Sequence, residues 1–141
     1  MNTLHFTIVT PDGRTYEDDV IKVTVPTQQG DVTIHPRHIQ MISVMQAGEI
    51  VIHKDDKEPR RVATSGGILA VRPGGETVQV LADTAERAED IDLERAKKAK
   101  ARAEQLLKES QNMQDVDFAR VQAQIEKELA RITTGNKYKK L

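Results

Sequence analysis

The apolar residues of this chain change period near Asp92, and that change limits the possible folds more than any other feature. Upstream they alternate: Leu4, Phe6 and Ile8 flank His5 and Thr7, Ile21, Val23 and Val25 flank Lys22 and Thr24, and Val78, Val80 and Ala82 follow suit. Alternation puts one set of side chains on one face of a β-strand. Downstream, Ala96, Ala99, Ala103 and Leu106 recur at spacings of three and four, the rhythm of one helix face. The joint between the two regimes is residues 81–102. There the acidic cluster Glu86, Glu89, Asp90 and Asp92 precedes the basic run Arg95, Lys97, Lys98, Lys100 and Arg102. Carboxylates favour the positive N-terminal end of a helix dipole, so the order marks a helix start, with Asp90 or Asp92 as the expected N-cap.

Turn residues cut the upstream region into short pieces. Pro11-Asp12-Gly13, residues 26–30, Pro36, Gly48, residues 54–57, Ser65-Gly66-Gly67 and Pro73-Gly74-Gly75 separate about eight to ten short strands at spacings of roughly 8–12 residues. Such spacing predicts an antiparallel β-sandwich or flattened barrel. Downstream, a polar stretch at 108–114 interrupts the helical period, and Asp115 or Asp117 can cap a second helix. Phe118, Val121, Ile125 and Ile132, with Leu129 beside them, keep a coiled-coil-like register. The expected fold is therefore mainly β plus α, an N-terminal antiparallel β-sandwich followed by a C-terminal antiparallel two-helix hairpin. Residues 1–87 form the sandwich domain, 88–134 the hairpin, and 135–141, with Gly135 and three lysines, a flexible basic tail. Alanine on one side of the hairpin seam buries little area, so a hairpin able to open is expected.

Composition excludes several function classes. The formal net charge is −1 and the aromatics are two Phe and two Tyr, which argues against nucleic acid as a partner. Cysteine is absent, so there is neither a disulfide framework nor a thiolate metal site. No apolar run approaches the ~18–20 residues that span a bilayer, and the N-terminus lacks a basic region followed by a long apolar one. Direct bilayer insertion is not expected, and any membrane association runs through a protein partner.

No catalytic constellation emerges. His35 and His38 flank Pro36-Arg37, but zinc needs a third ligand and no further ligand cluster lies nearby, so a surface loop is the better reading and no metal site is assigned. Ser65-Gly66-Gly67 lacks the frame of a nucleophile elbow, and Gly74-Gly75-Glu76-Thr77 lacks the lysine of a phosphate-binding loop. The run 95–102 carries five cations and no acid. A solvated helix face is the default for such a run, with docking onto an acidic protein surface or a polyphosphate as the functional alternative.

These residues resemble a known family over essentially the whole chain. Thr10-Pro11-Asp12-Gly13, the loop from Gly30 to His38, the stretch Ser65 to Val71 and above all Val80 to Asp92 resemble the epsilon subunit of the bacterial F-type ATP synthase. The resemblance implies a non-catalytic subunit of a proton-translocating complex at the cytoplasmic face of the bacterial plasma membrane. Its implied partners are the gamma subunit, the c-ring and the alpha and beta catalytic subunits. It couples rotation to ATP synthesis and restrains hydrolysis through movable C-terminal helices. The loop facing the c-ring is similar to residues 30–38 here, with Asp31, His35, Arg37 and His38 as contact residues, although the family's usual glycines are replaced by Thr33 and Arg37. The basic face Arg95, Lys98 and Arg102 is the candidate inhibitory surface.

Some members bind ATP on the folded hairpin through an I-D-x-x-R-A motif, which stands here as Ile91, Asp92, Arg95 and Ala96 in that frame. The resemblance adds Glu86 and Arg102, and two second-helix cations that fall on Lys127 and Arg131. Lys127 departs from the family's arginine and offers a point charge where a planar fork is usual. ATP is on this reading a regulatory ligand, and no cofactor is required. Two functions thus stand side by side, a stalk subunit whose hairpin blocks hydrolysis and an ATP-sensing module. An enzyme with a helical lid is the third and least supported.

Overall fold

The computed structural model describes residues 2–109 and 115–139. Ten strands come first: β1 (Leu4–Thr10), β2 (Gly13–Val20), β3 (Lys22–Thr27), β4 (Gly30–Ile34), β5 (Met41–Met45), β6 (Gly48–His53), β7 (Arg60–Thr64), β8 (Gly67–Val71), β9 (Thr77–Ala82) and β10 (Ala85–Arg87). A 3-10 turn (Ala88–Asp90) leads into α1 (Leu93–Glu109), and α2 (Asp115–Lys139) completes the fold. The strands run in the order β10-β7-β6-β3-β5-β8-β9-β1-β2, with β4 paired to β3. All pairings are antiparallel except β1 with β9, which is parallel. A parallel neighbour needs a long crossover, and here the intervening sandwich supplies it.

Alternation buries what it predicts. Phe6, Ile8, Val23, Val25, Ile50, Ile52, Leu69, Val78 and Val80 have no exposed surface and pack into one core. The two end strands of the sheet are brought together by Arg87 of β10. Its Nη2 donates to the Thr15 carbonyl of β2 at 2.9 Å, and its guanidinium lies 5.8 Å from the centre of the Tyr16 ring. On β7, Val62, Ala63 and Thr64 are buried in succession, because α2 covers the outer face of that strand.

Asp92 caps α1: the Arg95 amide donates to its carboxylate at 3.1 Å and the Ala96 amide to its carbonyl at 3.0 Å. The hairpin differs from its expected seam. Phe118 and Leu129 are about half exposed, at 51% and 48%, whereas Glu128, Ala130, Thr134 and Gly135 are buried. The reason is that α2 packs against two surfaces, α1 on one side and β6, β7 and the 3-10 turn on another. The helix also continues through Lys139, where a flexible tail was expected from Gly135. A side chain on Gly135 would meet Leu93 Cδ2 at 2.6 Å and Ile91 Cγ2 at 3.3 Å. This glycine lets α2 approach the start of α1 and does not end the helix.

Candidate functional site

A cavity of about 680 Å3 opens where the hairpin meets the sandwich. Its floor is Ala63 and Thr64 of β7 with Thr84, Ala85 and Glu86. Arg95, Lys98 and Arg102 enter from α1 at spacings of three and four, which puts them on one helix face. Lys127 and Arg131, one turn apart on α2, face them across the opening, with Gln124 and Glu128 beside them. The exposed run of the sequence is thus, in the closed hairpin, a cationic wall.

Arg131 is the most extensively hydrogen-bonded side chain of the site. Its Nε donates to Glu86 Oε2 at 2.7 Å and its Nη2 to Glu86 Oε1 at 3.2 Å, a two-pronged pair between α2 and β10. Its Nη1 donates to Glu128 Oε2 at 2.8 Å, and Gln124 donates to the other oxygen of that carboxylate at 2.9 Å. Burial of Arg131 works against its charge. The bonds from Glu86 and then Glu128 more than offset that cost and raise its pKa further above the ordinary arginine value. Glu128 is only 3% exposed, and both of its carboxylate oxygens accept a hydrogen bond, as a buried polar group requires.

The structure brings together Glu86, Arg95, Arg102, Lys127 and Arg131 of the expected nucleotide residues, with Lys98 of the basic face among them. Ile91, Asp92 and Ala96 are not in the lining. Asp92 is occupied as the cap of α1, Ile91 lies against Gly135, and Ala96 is fully buried. Sequence reasoning missed Gln124 and Glu128. The Glu-x-x-Arg spacing of Glu128 and Arg131 was the available signal, since residues three apart on a helix are neighbours.

The second candidate region is divided. His35 to His38 forms a turn closed by the His38 amide donating to the His35 carbonyl at 3.2 Å. Arg37 has φ of 67°, the left-handed region, which is why glycine suits this position. The Arg37 amide donates to Gly75 at 3.0 Å, and a side chain on Gly75 would meet the His38 backbone at 2.4 Å. Asp31 lies at the other end of β4, roughly 13 Å along the strand from His35. It does not join the other three. Beside the turn, Ile39 and Ile42 are nearly fully exposed.

A further surface went unread. Val44, Ile68, Leu81 and Val9 stand directly opposite one another across β5, β8, β9 and β1. The first three are exposed on the outside of the sandwich and Val9 is half-buried. The apolar residues Met41, Ile42, Val44 and Met45 of β5, interrupted only by Ser43, were its sequence signal, since a strand apolar on both faces expects both to be covered. Among the described residues no cluster of three metal-ligating side chains occurs, and no helix is long and apolar enough to cross a membrane.

Two family models match: the ATP synthase delta/epsilon chain beta-sandwich domain over residues 3–88 and the delta/epsilon chain long alpha-helix domain over residues 89–135. This chain belongs to the epsilon subunits of the bacterial F-type ATP synthases. It is 39% identical to the ATP synthase epsilon chain of Halalkalibacterium halodurans over 97% of its own length and 100% of that protein. It is 45% identical to the epsilon chain of Anoxybacillus flavithermus over 79% of this chain and 81% of that one. The fold is also that of a chain in a solved Euglena gracilis mitochondrial ATP synthase, with TM-score 0.77 and 19% identity over 92% of this chain and 79% of that one. As an epsilon subunit it belongs to the central stalk.

Proposed function

We propose that this chain is a non-catalytic regulator of rotary ATP synthesis whose sandwich stays on the stalk while its hairpin leaves to block hydrolysis. The observation that carries the reading is how α2 is held. It rests on the sandwich through the Arg131–Glu86 pair and the Lys137–Glu49 contact at 3.3 Å, and on the start of α1 through the close approach at Gly135. Large apolar side chains such as Phe118 and Leu129 stay half exposed. Polar and small-residue contacts are cheap to exchange for contacts with another surface, whereas a large apolar interface is not. The outer row on β5, β8, β9 and β1 is the docking face for the gamma subunit, and the turn 35–38 with Ile39 is the tip that reaches the c-ring. The freed helices meet the alpha and beta subunits. Membrane association, at the cytoplasmic face, runs through these partners, with coupling to protons.

The deciding experiment is ATP hydrolysis by the assembled complex carrying either the full chain or a chain ending at Arg87. Higher hydrolysis with the short chain, at equal assembly, supports the reading. Equal hydrolysis overturns the inhibitory role.

A second reading is favoured by the cationic cavity: ATP binds there and, by bridging α1 and α2, stabilises the closed hairpin. Arg95, Arg102 and Lys127 are its phosphate contacts. Ile91, Asp92 and Ala96 serve it indirectly, by starting α1 and setting the distance between the helices. ATP should then slow hydrogen exchange in α2, and Asp92→Ala should weaken binding through loss of the helix cap.

A further inference from the structure

The chain has four histidines, and the strand register carries all of them to one end of the sandwich. His53 closes β6 opposite Lys22, the first residue of β3. Ile34 closes β4 opposite Val23, so His35 follows at the same end. His38 completes the turn that packs on Gly75, whose carbonyl accepts from the Arg37 amide at 3.0 Å. The next carbonyl, that of Glu76, accepts from the His5 amide at 2.7 Å near the start of β1. Lys54, after His53, pairs with Asp18 of β2 at 2.7 Å across the same end. The opposite end, with the turns at 11–12, 28–29, 46–47 and 65–66, holds no histidine.

Two of the four are already committed. His5 has a carboxylate on each ring nitrogen, Asp19 and Glu17, both at 2.9 Å, and Arg14 pairs with the same Glu17. His53 is half-buried, and burial, with Lys22 and Arg61 nearby, lowers its pKa. The other two flank the exposed Arg37 in the turn. His38 Nδ1 lies 2.8 Å from the Ile39 carbonyl oxygen and so donates, which leaves Nε2 as the basic nitrogen of that ring. His35 is exposed. The elements packed against the turn bring Arg72 and Glu76 from the 72–76 turn and Lys22 from β3. Three fixed cations against one carboxylate make this neighbourhood suited to an anionic partner before any imidazole is protonated.

We infer that the turn 35–38 is a proton-responsive docking tip, in which His35 and His38 gain charge beside Arg37 in acid and hold a carboxylate-bearing surface of the c-ring more tightly as the pH falls. The inference rests on the reading above that this tip reaches the c-ring, and it adds the chemistry recognised and its regulation. Histidine is the side chain that ordinarily changes charge between pH 5 and 8. An imidazolium that gains a carboxylate only on docking has a higher pKa bound than free. The added affinity is therefore complete below the free value and is lost as the pH rises through the bound one. Ile39 and Ile42, 78% and 79% exposed beside the turn, supply contact area that does not respond to pH.

The test is binding of the alpha, beta and gamma subunits, assembled with the full chain, to immobilised c-ring at pH 6 and pH 8. At low salt, binding should be about fivefold tighter at pH 6, the scale of two exposed ion pairs, and the difference should shrink as salt rises. Replacing both histidines, His35→Gln with His38→Gln, should leave binding at pH 8 unchanged and abolish the gain at pH 6. Circular dichroism confirms that the doubly substituted chain is folded. Equal binding at the two pH values, or a gain that survives in the double variant, would overturn the inference and leave the tip on the c-ring. Arg37→Glu separates the two claims: it should weaken binding at both pH values. If it changes binding at neither, the tip does not reach the ring and both readings fall.

Discussion

The sandwich and the hairpin are held by different kinds of contact. The sandwich buries Phe6, Ile8, Ile50, Ile52 and Leu69 completely, from strands far apart in sequence. The hairpin buries one leucine, Leu93, with Ala96, Ala103, Ala130, Thr134 and Gly135, together with the carboxylate of Glu128, which pairs with the half-buried Arg131. An aliphatic core gains about 25 cal/mol for each Å2 taken from water, and an alanine has little area to offer. Small residues and ion pairs give a specific fit with a small net gain. One region is thus held by a large apolar core and the other by contacts that cost less to break, within a single chain that changes its hydrophobic period at the border.

The contrast makes graded predictions. Leu69→Ala should cost about 2–5 kcal/mol of global stability, read as a shift of the unfolding midpoint in denaturant. Gly135→Val should act on the hairpin alone. The added side chain would meet Leu93 where there is no space, at a cost of about 3 kcal/mol. Proteolysis within α2 should accelerate while the sandwich unfolds at an unchanged midpoint. A matching loss of sandwich stability would mean that the two regions are not separable.

Arg131→Gln should open the hairpin by about 1–2 kcal/mol, because Glu128 is left buried with a weaker partner. Glu86→Gln combined with it should cost less than the sum of the two changes, as expected for residues sharing one bond network. The smallest effect concerns the edge strand β2. His5 has its pKa raised above the ordinary 6.5 by its bond to Asp19 and then that to Glu17, both at 2.9 Å. A raised value means that the clasp is complete below pH 6.5 and fades as the pH climbs through the folded value. After correction for intrinsic rates, β2 amides should therefore exchange faster at pH 8 than at pH 6, and His5→Gln should remove the difference.

Much of the sandwich was legible because each strand carries its own evidence. Alternation in residues 4–8, 21–25 and 78–82 is local, and so are the turns that separate the strands. β10 was not legible. Ala85-Glu86-Arg87 has no alternation, and the strand exists through β7 on one side and the reach of Arg87 to β2. The α2 interface was misread for a related reason. Its period pointed to Phe118, Val121, Ile125 and Ile132, with Leu129 beside them, whereas contact with two surfaces leaves Phe118 and Leu129 half exposed and buries Glu128 and Thr134. Of the expected nucleotide residues, the α1 cations Arg95 and Arg102 were readable as helix-face neighbours, and Lys127 and Arg131 came from the family resemblance. The pairing of Arg131 with Glu86, 45 positions away, leaves no trace in local pattern. Gly135 reads in sequence as a helix end, and only its distance to Leu93 shows that it permits close packing.

Native-state hydrogen exchange on the full chain tests the separation of the two regions most directly. The amides from Glu128 to Thr134 should exchange through an opening of distinctly lower free energy than those of β3, β6 and β8, which should exchange only with global unfolding. Arg131→Gln should lower the first value and leave the second unchanged. If the α2 amides and the core strands exchange with one common free energy, the molecule is a single cooperative unit and the releasable hairpin is wrong.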